Sequence, residues 1–412
     1  MGNLELKDGL PESVGMDPGR IEGLRKLAAS WVETGDTPSV SVLVARRGVI
    51  VLHEAFGVRR PEDATPTLRR DSIFPLASCT KPLTAAAVMC LVEDGLIGLN
   101  RPFIDYIPEL EVAGVKWLEE ASVADLLCHT SGLEDVEIGA FINAAAGKSP
   151  ALTAPGPGQH PALARRIQLA AGVPLARRPG STMLYSNFGY TLLGDIVRRV
   201  SGQPFWRFVR SRLFEPLGMN DSFFVLPPEQ QERRVYRAQG MPGTQPVPGL
   251  HGGSNSAEFD ELDMGNTGAA STTRDLAVFM QMLLNGGSYG GRRVLSPATV
   301  AAMTRHQVDT AIPWLMVLIR PDTGQRWEYE YHGGGYGYGL FIFGPGDRFI
   351  LNGALASPSA FGHAGYGSAY MWADPERDVV GVFLGVAPRL SRGAPLIPAD
   401  LFLNAVYGAV VE

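Results

Sequence analysis

The chain has 412 residues, 45% hydrophobic and 19% charged, enough apolar material for a substantial core in one large unit or two to three subdomains. A formal net charge of −6 leaves no basic footprint for nucleic acid, and no apolar run has the length of a membrane span. The opening residues, Met1 to Asp8, carry neither the basic nor the apolar region of a secretory signal, so a cytoplasmic protein with no nucleic-acid or membrane partner is expected.

In chain order, Arg20 to Val32 places apolar residues at 21, 24, 27, 28, 31 and 32, the spacing of an amphipathic helix, with Asp17-Pro18 as its start signal. Val40 to Ala45 and Val49 to Phe56 are β-branched runs around Arg46-Arg47-Gly48, which predicts a hairpin. From Ser78 to about residue 325 the signals are mainly helical: 83–93, 123–127, 190–200, 205–213, 274–284 and 297–305. Gly- and Pro-rich connections at 147–161 and 227–253 interrupt them, and connections of that length often form lids or binding walls. Strands return at 338–343, 348–352, 366–373 and 379–386, before a closing helix at 398–411. The expected fold class is therefore α/β in the α+β sense: an antiparallel sheet built from both termini, flanked by helices, with a mainly helical insertion. The corresponding division is 1–75 with 328–412, and 76–327, with an active site between them.

Chemistry concentrates at Ser78-Cys79-Thr80-Lys81. A spacing of three puts Ser78 and Lys81 on one helix face, so the two side chains can meet. At a helix N-terminus the macrodipole and burial both disfavour an ammonium, which suits Lys81 as a base for a Ser78 nucleophile. The Ser78 amide can also bind an oxyanion. Composition alone gives about 0.3 such Ser-x-x-Lys matches per chain, but the apolar helix that follows and the Pro82 near its first turn give this match its context. The three cysteines, Cys79, Cys90 and Cys128, form no C-x-x-C pair and leave an odd thiol, which suits a reduced compartment and buried packing roles. Gly286-Gly287-Ser288-Tyr289-Gly290 matches the G-x-S-x-G pentapeptide, but it follows a helix instead of a strand, and Gly286-Gly287 has the character of a C-cap. No H-E-x-x-H or clustered His/Cys/Asp set points to a metal, and no cofactor is expected.

Further blocks extend the pattern: Leu126-Leu127-Cys128-His129-Thr130-Ser131-Gly132-Leu133, then Pro179 to Tyr190 with Tyr185-Ser186-Asn187, then Glu215-Pro216-Leu217-Gly218-Met219, Ser271-Thr272-Thr273-Arg274-Asp275, and Phe361 to Gly367 followed by Trp372-Ala373-Asp374-Pro375. Over nearly its whole length the chain resembles the serine β-lactamase-related superfamily, which includes class C β-lactamases, D,D-peptidases and family VIII carboxylesterases. The resemblance implies Tyr185 as a tyrosine facing the nucleophile and Asn187 as a residue contacting substrate and Lys81. Whether Lys81, Tyr185 or the pair takes the serine proton stays open, because coupled groups titrate together. It also implies a third motif, usually Lys-Thr-Gly, but no lysine follows Lys148. The best positional match is His363-Ala364-Gly365, with His332-Gly333-Gly334 and His251-Gly252-Gly253 as rivals. Tyr366 N–H then becomes the second oxyanion donor. His129 is expected to be structural. A histidine is largely neutral near pH 7, which moves the expectation from β-lactams towards esters. The resulting reading is a family VIII-type serine carboxylesterase acting on small-molecule esters, with weak β-lactam hydrolysis as a side activity. The alternatives are a β-lactamase or D,D-peptidase, an acyltransferase, or a non-catalytic penicillin-binding-like sensor.

Overall fold

A computed structural model describes residues 4–112, 114–148, 151–238, 254–256, 259, 261–309, 311–319, 325–331, 335–344, 353–386 and 399–411. Its main sheet draws strands from both ends of the chain: β1 Lys7–Asp8, β2 Ser39–Arg46, β3 Val49–Arg60, β4 Asp63–Thr67, β5 Gly335–Tyr336, β6 Phe341–Ile342, β7 Phe361–Gly365, β8 Ala369–Asp374 and β9 Val379–Gly385. The order is β1-β3-β2-β9-β8-β7-β6-β5, with β4 beside β3. β1 runs parallel to β3, and the other pairs are antiparallel.

Every residue of β2 and β9 is buried, because helices cover both sheet faces. On one face Val40, Val42, Val44, Trp372 and Phe383 pack against helix α1 (Pro18–Glu33) and a C-terminal helix (Ala399–Gly408). The Asp17 side chain caps α1 by accepting from Arg20 N at 2.8 Å, which realises the start signal read from the sequence. On the other face Leu43, Ala45, Met371, Val380 and Val382 join the larger core, which contains α2 (Thr80–Glu93). Every α2 residue from Thr80 to Leu91 is buried, as a helix apolar on all sides requires. The fold is thus the expected α/β arrangement, a multistrand sheet between helical layers.

Several local details differ from the sequence reading. Helix α3 (Val123–Cys128) runs one residue past the 123–127 expected, whereas α4 (Asp135–Gly147) and α5 (Pro161–Leu169) form where the sequence signals no helix. In a three-stranded sheet, Met183–Leu184 and Trp314–Ile319 lie within the stretch read as mainly helical, and Arg326–Tyr331 follows at its end. The run Trp314 to Ile319 is apolar throughout, so its periodicity could not separate strand from helix. The strand read over 366–373 is broken: Tyr366 to Ser368 form a turn with positive φ at Gly367 and Ser368, and β8 starts at Ala369. The strand read over 348–352 lies outside the described residues.

Candidate active site

Ser78 sits in a single turn, Ala77–Cys79, that leads directly into α2. Ala77 takes a φ of 47°, a left-handed conformation that costs a non-glycine residue about 1–3 kcal/mol and persists only where the surroundings enforce it. The turn leaves Ser78 partly exposed between two buried neighbours.

Lys81 lies one helical turn on and is fully buried. Its Nζ is 2.9 Å from Ser78 Oγ, 2.8 Å from Asn187 Oδ1 and 3.2 Å from the Asn266 carbonyl. These neutral acceptors use all three ammonium donors. Burial lowers the Lys81 pKa from 10.5 to about 7, against an upward pull from the Asp135 charge. In the amine form the Nζ lone pair can accept the Ser78 proton along the same 2.9 Å contact.

The second wall comes from the Tyr185-Ser186-Asn187 segment at the start of α6 (Asn187–Ser201). The Tyr185 ring lies 4.8 Å from Lys81 Nζ, so the two are brought together. Tyr190 is also near, at 5.6 Å, but its hydroxyl donates to the Leu127 carbonyl and is structural. His129 ends α3 in a left-handed conformation and ties this wall to the Leu126–Leu133 block. Its carbonyl accepts from Leu184 N at 2.6 Å, its Nδ1 accepts from Ser186 N at 3.1 Å, and its ring lies 4.3 Å from that of Tyr185. Burial holds the imidazole neutral, with the Lys81 charge acting in the same direction.

The residue that sequence reasoning missed is Asp135, the first residue of α4. Its carboxylate accepts from Ser186 Oγ at 2.9 Å, Asn187 N at 2.7 Å, Asn187 Nδ2 at 2.9 Å and Phe188 N at 3.0 Å. With Nδ2 donating to Asp135, Asn187 must turn its Oδ1 towards Lys81. The available signal was an acidic residue following the Ser131-Gly132-Leu133 turn, but nothing in the sequence linked it to a segment about fifty residues away.

The third wall is the end of β7. Gly365 lies so close to the Ala77–Cys79 turn that a Cβ would stand 2.2 Å from the Leu76 carbonyl and 3.3 Å from Cys79 N. A glycine is therefore needed for β7 to pass beside Ser78. Tyr366 follows in the turn, and its carbonyl accepts from Arg237 Nη2 at 3.0 Å. His363 is fully enclosed: its Nε2 is 3.1 Å from Tyr336 Oη, its Nδ1 is 2.7 Å from the Ala364 carbonyl, and its ring lies 4.6 Å from Phe341. Burial and then the Lys81 charge push its pKa well down, so it presents no charge to a ligand. The rivals His332-Gly333-Gly334 and His251-Gly252-Gly253 lie outside the described residues.

Other motifs fall away from this site. Ser288 sits on a two-residue hairpin strand after the helix Thr273–Leu284, and Gly286 ends that helix region with a φ of 73°, so the strand–turn–helix of a nucleophile elbow is not formed. All three cysteines are free and buried, and burial raises each thiol pKa. Among the described residues no group of three His, Cys, Asp or Glu side chains could hold a metal, and no helix is long and apolar enough to cross a membrane.

Fold and site together define a serine hydrolase of the β-lactamase/transpeptidase class. The Beta-lactamase family model matches residues 24–389, so the chain belongs to that family. A relative from Salmonella enteritidis PT4, provisionally named a D-alanyl-D-alanine carboxypeptidase, is 25% identical over 431 aligned positions, covering 98% of this chain and 92% of the relative. Among solved structures, "EstCE1, a hydrolase with promiscuous acyltransferase activity" aligns with a TM-score of 0.71 at 19% identity, covering 98% of this chain and 99% of that one. A family VIII carboxylesterase aligns with a TM-score of 0.66 at 22% identity, covering 95% and 97%.

Proposed function

We propose that the protein hydrolyses short-chain carboxylic esters through an acyl-enzyme on Ser78. The observation that carries this reading is Lys81, a buried lysine without a carboxylate in ion-pair range among the described residues, bonded to Ser78 Oγ and pushed to a pKa of about 7. A lysine in that state is a usable general base at neutral pH. Ser78 Oγ attacks the ester carbonyl carbon while its proton passes to Lys81 Nζ, with the Tyr185 hydroxyl taking part in the transfer. The amides of Ser78 and Tyr366 hold the tetrahedral oxyanion, and Gly365 lets them converge. Collapse breaks the bond to the leaving alkoxide, which takes the proton back from Lys81. Water then attacks the acyl-Ser78 carbonyl by the same route, returning the serine and releasing the acid.

Esters are preferred over β-lactams because His363 stands at the third-motif position enclosed and neutral. Asn187 orients the substrate through the lock that Asp135 imposes. In this reading 1–75 with 328–412 and 76–327 are the two parts that meet at the site. The acyl-enzyme could also be intercepted by an alcohol, and the carboxypeptidase name of the 25% identical relative makes a D-Ala-D-Ala peptide the main rival substrate.

Intact-mass measurement with p-nitrophenyl butyrate, a cephalosporin and a D-Ala-D-Ala peptide tests this directly. The expected result is a butyryl adduct and rapid turnover with the ester, slow or no reaction with the other two, and loss of adduct in Ser78→Ala. Full esterase activity in Ser78→Ala would refute the mechanism, and faster turnover of the peptide would reassign the substrate.

A further inference from the structure

One of the three acceptors around Lys81 is a main-chain carbonyl, that of Asn266, which lies 185 residues further along the chain and 3.2 Å from Nζ. The segment 263–269 that presents it runs along the start of α2 like a strap. The Gly265 carbonyl accepts from Thr84 Oγ1 at 2.6 Å, Ala269 N donates to Thr80 Oγ1 at 3.1 Å, and the Ala269 carbonyl accepts from Leu76 N at 2.9 Å. Gly268 N donates to the Met264 carbonyl at 2.9 Å and closes the segment into a turn. The strap also presses on α6, where a Cβ on Gly265 would stand 2.7 Å from the Tyr190 carbonyl and 3.1 Å from Gly194 Cα. The Asn266 side chain adds no hold through its Oδ1, which is buried without a hydrogen-bond partner among the described residues.

The head of the strap is Asp263. It is 8% exposed and has a φ of 52°, a left-handed conformation that Asp and Asn adopt more readily than other side chains. Its Oδ2 accepts from Trp206 N at 3.0 Å, in the first turn of helix α7 (Phe205–Val209), whose own N-cap residue, Pro204, supplies no side-chain cap. One carboxyl group thus joins α7 to the chain three residues before the Asn266 carbonyl. Burial raises the Asp263 pKa to about 7, while the amides of Trp206 and Phe205 and the Arg198 charge pull it down. A carboxyl oxygen accepts from an amide in either protonation state, so the link does not depend on its charge.

We propose that Asp263 is a positioning residue for Lys81, holding the 263–269 strap against α2 so that the Asn266 carbonyl stays on Nζ. This rests on the esterase reading and adds to it the group that fixes the base. A carbonyl acceptor favours the ammonium over the amine, so loosening the strap lowers the Lys81 pKa and lets Nζ leave its 2.9 Å contact with Ser78 Oγ. The other groups facing Lys81 are Asp135 from α4, Cys79 from its own turn, Tyr185 and Tyr190 from the second wall, His129 from α3 and His363 from β7. Among the described residues none of them is hydrogen-bonded to Asp263, so a change at Asp263 reaches Lys81 through the strap.

The test compares the pH profiles of kcat and kcat/KM for p-nitrophenyl butyrate in the wild type, Asp263→Asn, Asp263→Ala and Asp263→Gly. Asn keeps an acceptor for Trp206 N and suits the left-handed backbone, Gly suits the backbone alone, and Ala does neither. In Asp263→Ala and Asp263→Gly the acid limb should move down by about 1 pH unit, the shift that a lost hydrogen bond to a charged group gives. Their kcat should fall at least about tenfold with KM within about twofold, as misplacement of a reacting group does. Asp263→Asn should keep its acid limb in place and a rate within about threefold of the wild type, because Asn and Asp cap helices equally well. An acid limb that stays in place in both Asp263→Ala and Asp263→Gly overturns the proposal. So does an equal shift in all three variants, which would assign the effect to the Asp263 charge. The Lys81 titration can also be followed without substrate, since the chain has five lysines, Lys7, Lys26, Lys81, Lys116 and Lys148, few enough to resolve by NMR of protein labelled at the lysine ε carbon. A Lys81 pKa lowered in Asp263→Gly but not in Asp263→Asn supports the strap, and equal values in all overturn it. Absence of acyl-Ser78 in the wild type, with the NMR shifts as expected, would overturn the esterase reading alone. Thermal melts check folding, and Asp263→Gly carries the comparison if Asp263→Ala does not fold. Failure of both to fold beside a folded Asp263→Asn would overturn the proposal by making Asp263 a requirement of the whole fold.

Discussion

Replacing Asp135 by Asn should change both the pH dependence and the stability of the protein, because one carboxylate holds the Tyr185-Ser186-Asn187 wall and sets the charge around Lys81. Asn187 bridges the two, with Oδ1 2.8 Å from Lys81 Nζ and Nδ2 2.9 Å from Asp135 Oδ2. Across one amide group this puts the Asp135 oxygen within about 8 Å of Nζ. At that range and an effective dielectric near 20, two unit charges interact by about 2 kcal/mol, equivalent to about 1.5 pH units. Asp135 is half-buried, and solvent screening trims the effect to about 1 unit. The Asp135 charge raises the Lys81 pKa, so removing it lets that pKa fall below about 7. The neutral amine then persists to lower pH, and the acid limb of kcat/KM for p-nitrophenyl butyrate should move down by about 1 unit. The substitution also leaves a single acceptor oxygen where two served four donors. Two lost hydrogen bonds to a charged acceptor, partly replaced by water, cost about 2–4 kcal/mol in a urea melt. The kcat should fall as well, because Asn187 is no longer held in one orientation. An acid limb that stays in place would show that Lys81 is not the group whose ionisation limits the reaction.

Other perturbations follow the same physics. Lys81→Met should abolish esterase turnover yet stabilise the fold. The Lys81 pKa is lowered from 10.5 to about 7, so the wild type carries the full penalty below pH 7 and loses it as pH rises to 10.5. That penalty is at most about 5 kcal/mol, and the gain of Lys81→Met in thermal melts should shrink across this pH window. Gly365→Ala drives a Cβ to 2.2 Å from the Leu76 carbonyl and should cut kcat by at least about 10²-fold, as loss of an oxyanion donor does, with little change in KM. A normal rate in Gly365→Ala would remove β7 from the oxyanion site. Tyr185→Phe, assayed in the same way, should lower kcat by about 10²-fold or more while folding normally, as removal of a proton-transfer group does. The buried thiols, with their raised pKa values, should resist a thiol reagent at pH 8 in the native protein and react at Cys79, Cys90 and Cys128 in denaturant.

The sequence by itself determined what depends on short range. A spacing of three fixed the Ser78–Lys81 contact, β-branched runs around Arg46-Arg47-Gly48 marked the β2–β3 hairpin, and Asp17-Pro18 set the start of α1. The absence of a lysine after Lys148 fixed the neutral character of the third motif. Other features needed the tertiary structure. The Trp314–Ile319 run could pair as a strand because Met183–Leu184 and Arg326–Tyr331 lie on either side of it. Tyr366 left its strand because Gly365 lets β7 pass close to the Ser78 turn and Gly367, with a φ of 90°, turns the chain there. The roles open to Asp135 and Arg237 were also decided there. An ordinary acidic residue at a helix start and an arginine in an irregular segment gain meaning only from what folding brings to them. For Asp135 that is a cluster of hydrogen-bond donors about fifty residues away, and for Arg237 the Tyr366 carbonyl next to the site. Hydrogen bonding and burial act through space, and periodicity along the chain carries no record of them.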